Sequence, residues 1–198
     1  MLVAHDLSHP LDLELGERLK HVYKLNRSPQ TLHDVQILFA ERRQKNPHLY
    51  GYLELVKQGD AIIGACKSQT NYANYFSEGE IRVMCGYDAL MNVLLRGSGI
   101  ARGHCMHCGE SLELEIADQK RMRLSHPNLL FWLGTGEIGA PGNPVCDHLH
   151  LFPHQEHLEA WLETRPDVLG VAMPVTLAID FLKEHPIPPR KARTSFDA

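Results

Sequence analysis

The stretch "RVMCGYDALMNVLL" (Arg82–Leu95) decides how the chain is read. It opens β-prone and closes apolar at helical spacing, and where the two patterns meet Cys85 and Asp88 stand three residues apart. If the helix begins close to Cys85, both side chains leave one side of its first turn, because residues three apart are neighbours on a helix surface. A cysteine at a helix N-terminus has its thiolate favoured by exposed backbone N–H groups and the macrodipole, which suits a nucleophile or a soft-metal ligand. Taken alone, the pair is better described as a small core residue beside an ordinary first-turn acid, since free cysteine is among the most buried residue types.

Towards the N-terminus, Leu11–Leu25 and Ser28–Gln44 place apolar residues at helical spacing, with Ser28 as N-cap and Pro29 at the first helical position of the second helix. The residues from Leu49 to Met84 mix a short apolar helix with β-type alternation broken by turn signals. Helices followed by a small hairpin predict a winged-helix-like unit over residues 1–78. Cys66, at that hairpin, reads as a packed residue. Towards the C-terminus, "SLELEIA" (Ser111–Ala117), "NLLFWLG" (Asn128–Gly134), "VCDHLHLF" (Val145–Phe152) and "VLGVAMPVT" (Val168–Thr176) read as strands. Helices over "HQEHLEAWLETR" (His154–Arg165) and "LAIDFLKEH" (Leu177–His185) alternate with them. Without regular βαβ repetition the class is α+β, with a small mixed-sheet domain over residues 79–185. The proline-rich, basic end, 186–198, is expected to be disordered.

The chain has 198 residues and is 43% hydrophobic, enough to bury one good core or two small ones. A net charge of −4 gives no broad attraction for nucleic acid. The sequence shows neither a signal-like start nor an apolar run long enough to span a bilayer, which predicts a cytoplasmic protein and no membrane partner. Five cysteines in a chain of this size fit thiol chemistry or metal binding better than a disulfide framework.

"CMHCG" (Cys105–Gly109) has the form of half a zinc knuckle, and a structural zinc site needs further ligands. His148 and His150 would complete a Cys2His2 set, although their one-residue spacing is unlike that of a finger. On a strand, Cys146, His148 and His150 share one face and Asp147, Leu149 and Leu151 the other. Satisfied core groups account for that face as well as ligands do.

Together, "MCGYDAL", "GHC" ahead of a β segment and "VCDHLHLF" ahead of an amphipathic helix resemble the alkylmercury (organomercurial) lyase family in order and spacing, over about Ile62–Phe181. The shared pattern is Cys-x-x-Asp answered about sixty residues later by a cysteine and His-x-His. The resemblance implies cleavage of a carbon–mercury bond by protonolysis, as in mercuric resistance. Cys85 and Cys146 would bind the metal as thiolates and Asp88 would carry the proton. No organic cofactor is implied; mercury(II) is the bound product, cellular thiols would remove it, and a mercuric reductase would be the downstream partner. Two features depart from the pattern. Cys108 turns the family's Cys105 position into a CxxC that could relay mercury or bind another metal, and Asp147 stands where the family carries a second cysteine. On a strand, Asp147 would face away from Cys146. The alternative is a non-catalytic thiolate/histidine metal-binding or metal-sensing protein, holding zinc or copper at Cys105, Cys108, His148 and His150. Oligomeric state is not legible.

Overall fold

The computed structural model describes residues 3–45, 71–77, 79–83, 85–117, 121–136 and 146–183, with only the backbone described at Arg43 and Cys146. Residues 46–70, with Cys66 and the first part of the stretch expected to hold a short helix and hairpin, residues 137–145 and the C-terminal end lie outside these residues. Five helices and eight strands are described: α1 (Leu13–Val22), α2 (Leu32–Lys45), β1 (Tyr72–Phe76), β2 (Gly79–Val83), α3 (Gly86–Arg96), β3 (Gly99–His104), β4 (Ser111–Ala117), β5 (Arg121–Leu124), β6 (Leu130–Thr135), β7 (Leu149–Phe152), α4 (Gln155–Glu163), β8 (Leu169–Pro174) and α5 (Val175–Lys183). The class is α+β, as the unpatterned mixture of elements predicts. No described helix is long and apolar enough to cross a membrane.

The strands form two antiparallel sheets, one ordered β2-β1-β3-β4-β5 and the other β7-β6-β8. β4 alternates buried Leu112, Leu114 and Ile116 with half-exposed partners, the mark of a sheet with one face on the core. β6 is buried at every position, because it is the central strand of a sheet covered on both faces. β1 pairs with β2 on one side and β3 on the other, so the unit division read at 78/79 falls inside a hairpin. Leu15, Leu19, Leu32, Val35 and Leu38 from α1 and α2 join the same hydrophobic core as β6 and β8. The buried Gln36 amide also donates to the Phe181 carbonyl of α5 at 2.9 Å.

α2 starts three residues later than Ser28 and Pro29 suggest. Thr31 and Asp34 form a reciprocal cap: Asp34 N–H donates to Thr31 Oγ1 (3.1 Å) and Thr31 N–H to Asp34 Oδ2 (3.2 Å). Ser28 instead donates its hydroxyl to Glu17.

α3 is held on the first sheet by buried amides. Asn74 of β1 is fully buried, donates to the Ala89 carbonyl (2.8 Å) and accepts from Asn92 (2.9 Å). These bonds fix the helix along its own axis, which apolar packing alone would leave free to slide. Asn74→Ala strands the Asn92 amide in the core, and a buried donor left unpaired costs about 1–3 kcal/mol. The urea midpoint should fall accordingly, whereas an unchanged midpoint would show that the amide pair does not anchor the helix.

Candidate active site

Cys85 is the N-cap of α3, with extended backbone (φ −154°, ψ 174°) and 1% exposure. Its carbonyl already accepts from Ala89 N–H (3.0 Å), so the helix begins at the cysteine itself. Asp88 lies half-buried in the first turn. The thiol and carboxylate therefore share one helix edge, on the side where backbone N–H groups favour negative charge.

Gly86 explains how this edge meets the second sheet. A Cβ there would stand 3.0 Å from the Leu149 carbonyl oxygen and 3.3 Å from the His150 carbonyl carbon. A Cβ at that range would be unusually tight, so glycine eases the close approach of α3 to the β7 backbone. The contact is three residues along the chain from Cys146.

The sequence reading of "VCDHLHLF" as one strand is corrected here. Cys146–His148 form a 3-10 turn and the strand begins at Leu149, so no period-two face unites Cys146, His148 and His150. All four residues of β7 are buried, and the strand argument for turning Asp147 away from Cys146 falls with it. His150 holds the turn in place. Its Nε2 lies 2.8 Å from the Asp147 carbonyl, which can only accept, so Nε2 carries the proton and Nδ1 faces the Tyr72 hydroxyl at 3.4 Å. The Tyr72 oxygen in turn accepts from Leu151 N–H (2.9 Å). One chain of hydrogen bonds thus runs from β7 through Tyr72 to His150 and back to the turn that carries Cys146. The Trp161 ring packs edge-on against His150 (5.4 Å between centroids).

Burial pushes the Tyr72 phenol up, and the nearby Cys85 and Cys105 thiols push it the same way. Burial also pushes the His150 imidazole down to about 4, helped by the His148 and Arg165 charges and opposed by the Asp147 carbonyl. His148 is likewise lowered, by desolvation first, and its Nδ1 is buried without a hydrogen-bond partner among the described residues.

The CxxC finds a different histidine from those expected. Cys105, Cys108 and His157 gather their donor atoms within 4.8 Å of one another, with Cys105 Sγ 3.6 Å and Cys108 Sγ 3.4 Å from His157 Nδ1. His148 and His150 are absent from this group, and the His150 nitrogens are committed to Asp147 and Tyr72. Sequence reasoning missed His157. Its only signal was the pairing of His154 and His157 three apart at a helix start, which projects both from one side of the first turn. A cleft of about 510 Å³, bordered by Leu94, Gly97, Met122 and Ile179, lies at the opposite end of α3 from Cys85 and takes no part in either thiol group.

A family model described as alkylmercury lyase matches residues 66–185. The chain belongs to the alkylmercury lyase family. The matched span contains Cys85, Asp88, Cys105, Cys108, Cys146 and His157, and it bears out the resemblance read from the cysteine pattern. The family is one of carbon–mercury lyases. Among solved structures, "Crystal structure of the mercury-bound form of MerB2" is similar with a TM-score of 0.50 and 16% identity, covering 85% of this chain and 89% of that one. At that identity the likeness is one of fold. Among curated proteins none matches the chain in sequence.

The neutral burial of His150 makes stability pH-dependent. Its folded value near 4 lies below the ordinary 6.5, so as pH falls the unfolded chain takes up the proton first. The contribution is complete above about pH 6.5 and is lost as pH falls towards 4, a loss of about 2–3 kcal/mol between pH 7 and pH 4.5. Urea unfolding across this range should show the slope in the wild type and a flatter one in His150→Gln; equal slopes would remove His150 as the cause.

Proposed function

We propose that the chain cleaves the carbon–mercury bond of a small organomercurial by protonolysis, with Cys85 and Cys146 as the thiolate ligands and Asp88 as the proton carrier. The observation that carries this reading is the contact at Gly86, which packs the thiol–carboxylate edge of α3 against the strand that follows Cys146. Mercury(II) is soft and prefers thiolate sulfur to oxygen. Two thiolates raise electron density on the metal and weaken its bond to carbon. Asp88 takes the thiol proton and delivers it to the departing carbon, so the hydrocarbon leaves as a neutral molecule and no free carbanion forms. One cysteine binds as a thiolate and the other gives its proton to Asp88; the Hg–C bond breaks, that proton forms the C–H bond, and mercury(II) stays on two sulfurs.

No organic cofactor enters this scheme. The bound product must be removed by thiol exchange, which gives cellular thiols the role of acceptor and a mercuric reductase that of the next step. The cytosol, rich in reduced thiols, is the compartment that suits both. His150 is a positioning residue in this reading, since it touches the turn that bears Cys146 rather than the substrate.

Gas chromatography of the hydrocarbon released from a simple alkyl- or arylmercury salt tests the proposal. The wild type should release the hydrocarbon, Cys85→Ser should abolish release, and Asp88→Asn should slow it by about 100-fold or more, the usual range for a lost acid–base group. Release undiminished in Cys85→Ser, or none from the wild type, would sink the reading. Gly86→Ala should also lower the rate, because its Cβ must push α3 off the Leu149 carbonyl, and overpacking of this kind costs about 1–3 kcal/mol in stability. An alanine variant as active and as stable as the wild type would show that the close approach is dispensable.

A further inference from the structure

The tip of the β3–β4 hairpin carries the CxxC, and its conformation is that of a metal-binding turn. Cys105 N–H donates to the Glu110 carbonyl and Gly109 N–H to the Cys105 carbonyl, both at 2.8 Å, while Gly109 takes φ +78° to reverse the chain. The backbone N–H groups of Cys108 and His107 turn towards the Cys105 sulfur and partly offset the burial that pushes its thiol up. Cys105 is buried and Cys108 exposed, so the pair reaches from the core to the surface. Neither forms a disulfide.

His157, from the first turn of α4, closes the group. A tetrahedral ion with metal–sulfur bonds of about 2.3 Å and a metal–nitrogen bond of about 2.0–2.1 Å requires sulfur and nitrogen to stand about 3.5–3.6 Å apart. The observed separations from His157 Nδ1 are 3.6 Å to Cys105 and 3.4 Å to Cys108. Two elements distant in sequence thus present three donors at the spacing of a single coordination sphere. The rings of His154 and His107 lie 4.1 and 5.3 Å from that of His157.

We propose that Cys105, Cys108 and His157 bind one thiophilic d10 metal ion, in a second site separate from Cys85 and Asp88. Two thiolates and an imidazole select zinc(II) or mercury(II) over hard cations. Three protein donors leave a tetrahedral ion one exchangeable position. The ion is either resident zinc or mercury(II) taken up from solution, and the two share this chemistry. The site stands on its own geometry and does not depend on the lyase reading.

Metal analysis of the full-length chain purified without added metal, followed by equilibrium dialysis of the reduced, metal-free protein against zinc(II) and separately mercury(II), tests the site. Zinc at about one equivalent, as purified or on dialysis, identifies a resident ion. An additional equivalent of mercury(II) without zinc identifies a site for mercury. In either case that equivalent should vanish in Cys108→Ser and His157→Gln and persist in Cys85→Ser. Circular dichroism confirms the fold of each variant, and both test positions lie towards the surface. Metal content unchanged by Cys108→Ser and His157→Gln, or no equivalent of either metal attributable to these residues, overturns the proposal. Failure here leaves hydrocarbon release untouched, so the two readings fall separately.

Discussion

The structure depends on a backbone-to-backbone contact. The first turn of α3 lies against β7 at Gly86, and beside it the Tyr72 hydroxyl reaches from the first sheet to a main-chain N–H of the second. Together with the Tyr72–His150 hydrogen bond, these links join sheets whose other contacts include much apolar packing. Apolar contact is non-directional and sets no register. A hydrogen bond between one phenol and one peptide does, and the position of Cys85 relative to the turn at 146–148 follows from it.

The two thiol groups sit in different dielectric surroundings, and that difference divides their chemistry. Cys85 is buried at a helix N-terminus, where water competes little and fixed N–H dipoles act at full strength. The Cys105–Cys108 turn lies at a hairpin tip, with one sulfur exposed and a cluster of imidazoles around it. A buried thiol beside a carboxylate suits bond cleavage that must exclude water. A turn with one exposed sulfur suits exchange with solutes.

Much of the fold was legible because its signals are local. β4 and β6 follow directly from "SLELEIA" and "NLLFWLG", and the N-cap position of Cys85 follows from the change of period after Val83. The family was legible from the order of Cys85, Asp88 and Cys146. Other features were not, because long-range partners decide them. β3, "GIARGH", has too little apolar alternation to declare itself and is a strand because β1 and β4 flank it. Val145–Phe152 alternates like a strand in sequence, yet Cys146–His148 form a turn, with His150 bound to the Asp147 carbonyl. His157 meets the CxxC only through the packing of α4, which no spacing along the chain encodes. Thr31 took the cap from Ser28 because Asp34 could answer it three residues on.

The three-stranded sheet has two outer strands, and something occupies each. Along β7, Tyr72 fills the N–H of Leu151; along β8, the Ala4 N–H donates to the Ala172 carbonyl at 2.8 Å in a parallel bridge from the N-terminal segment. Unpaired strand edges are templates for intermolecular pairing. The tyrosine that aligns the two sheets thus also occupies a peptide N–H that the edge of the second sheet would otherwise offer to another chain.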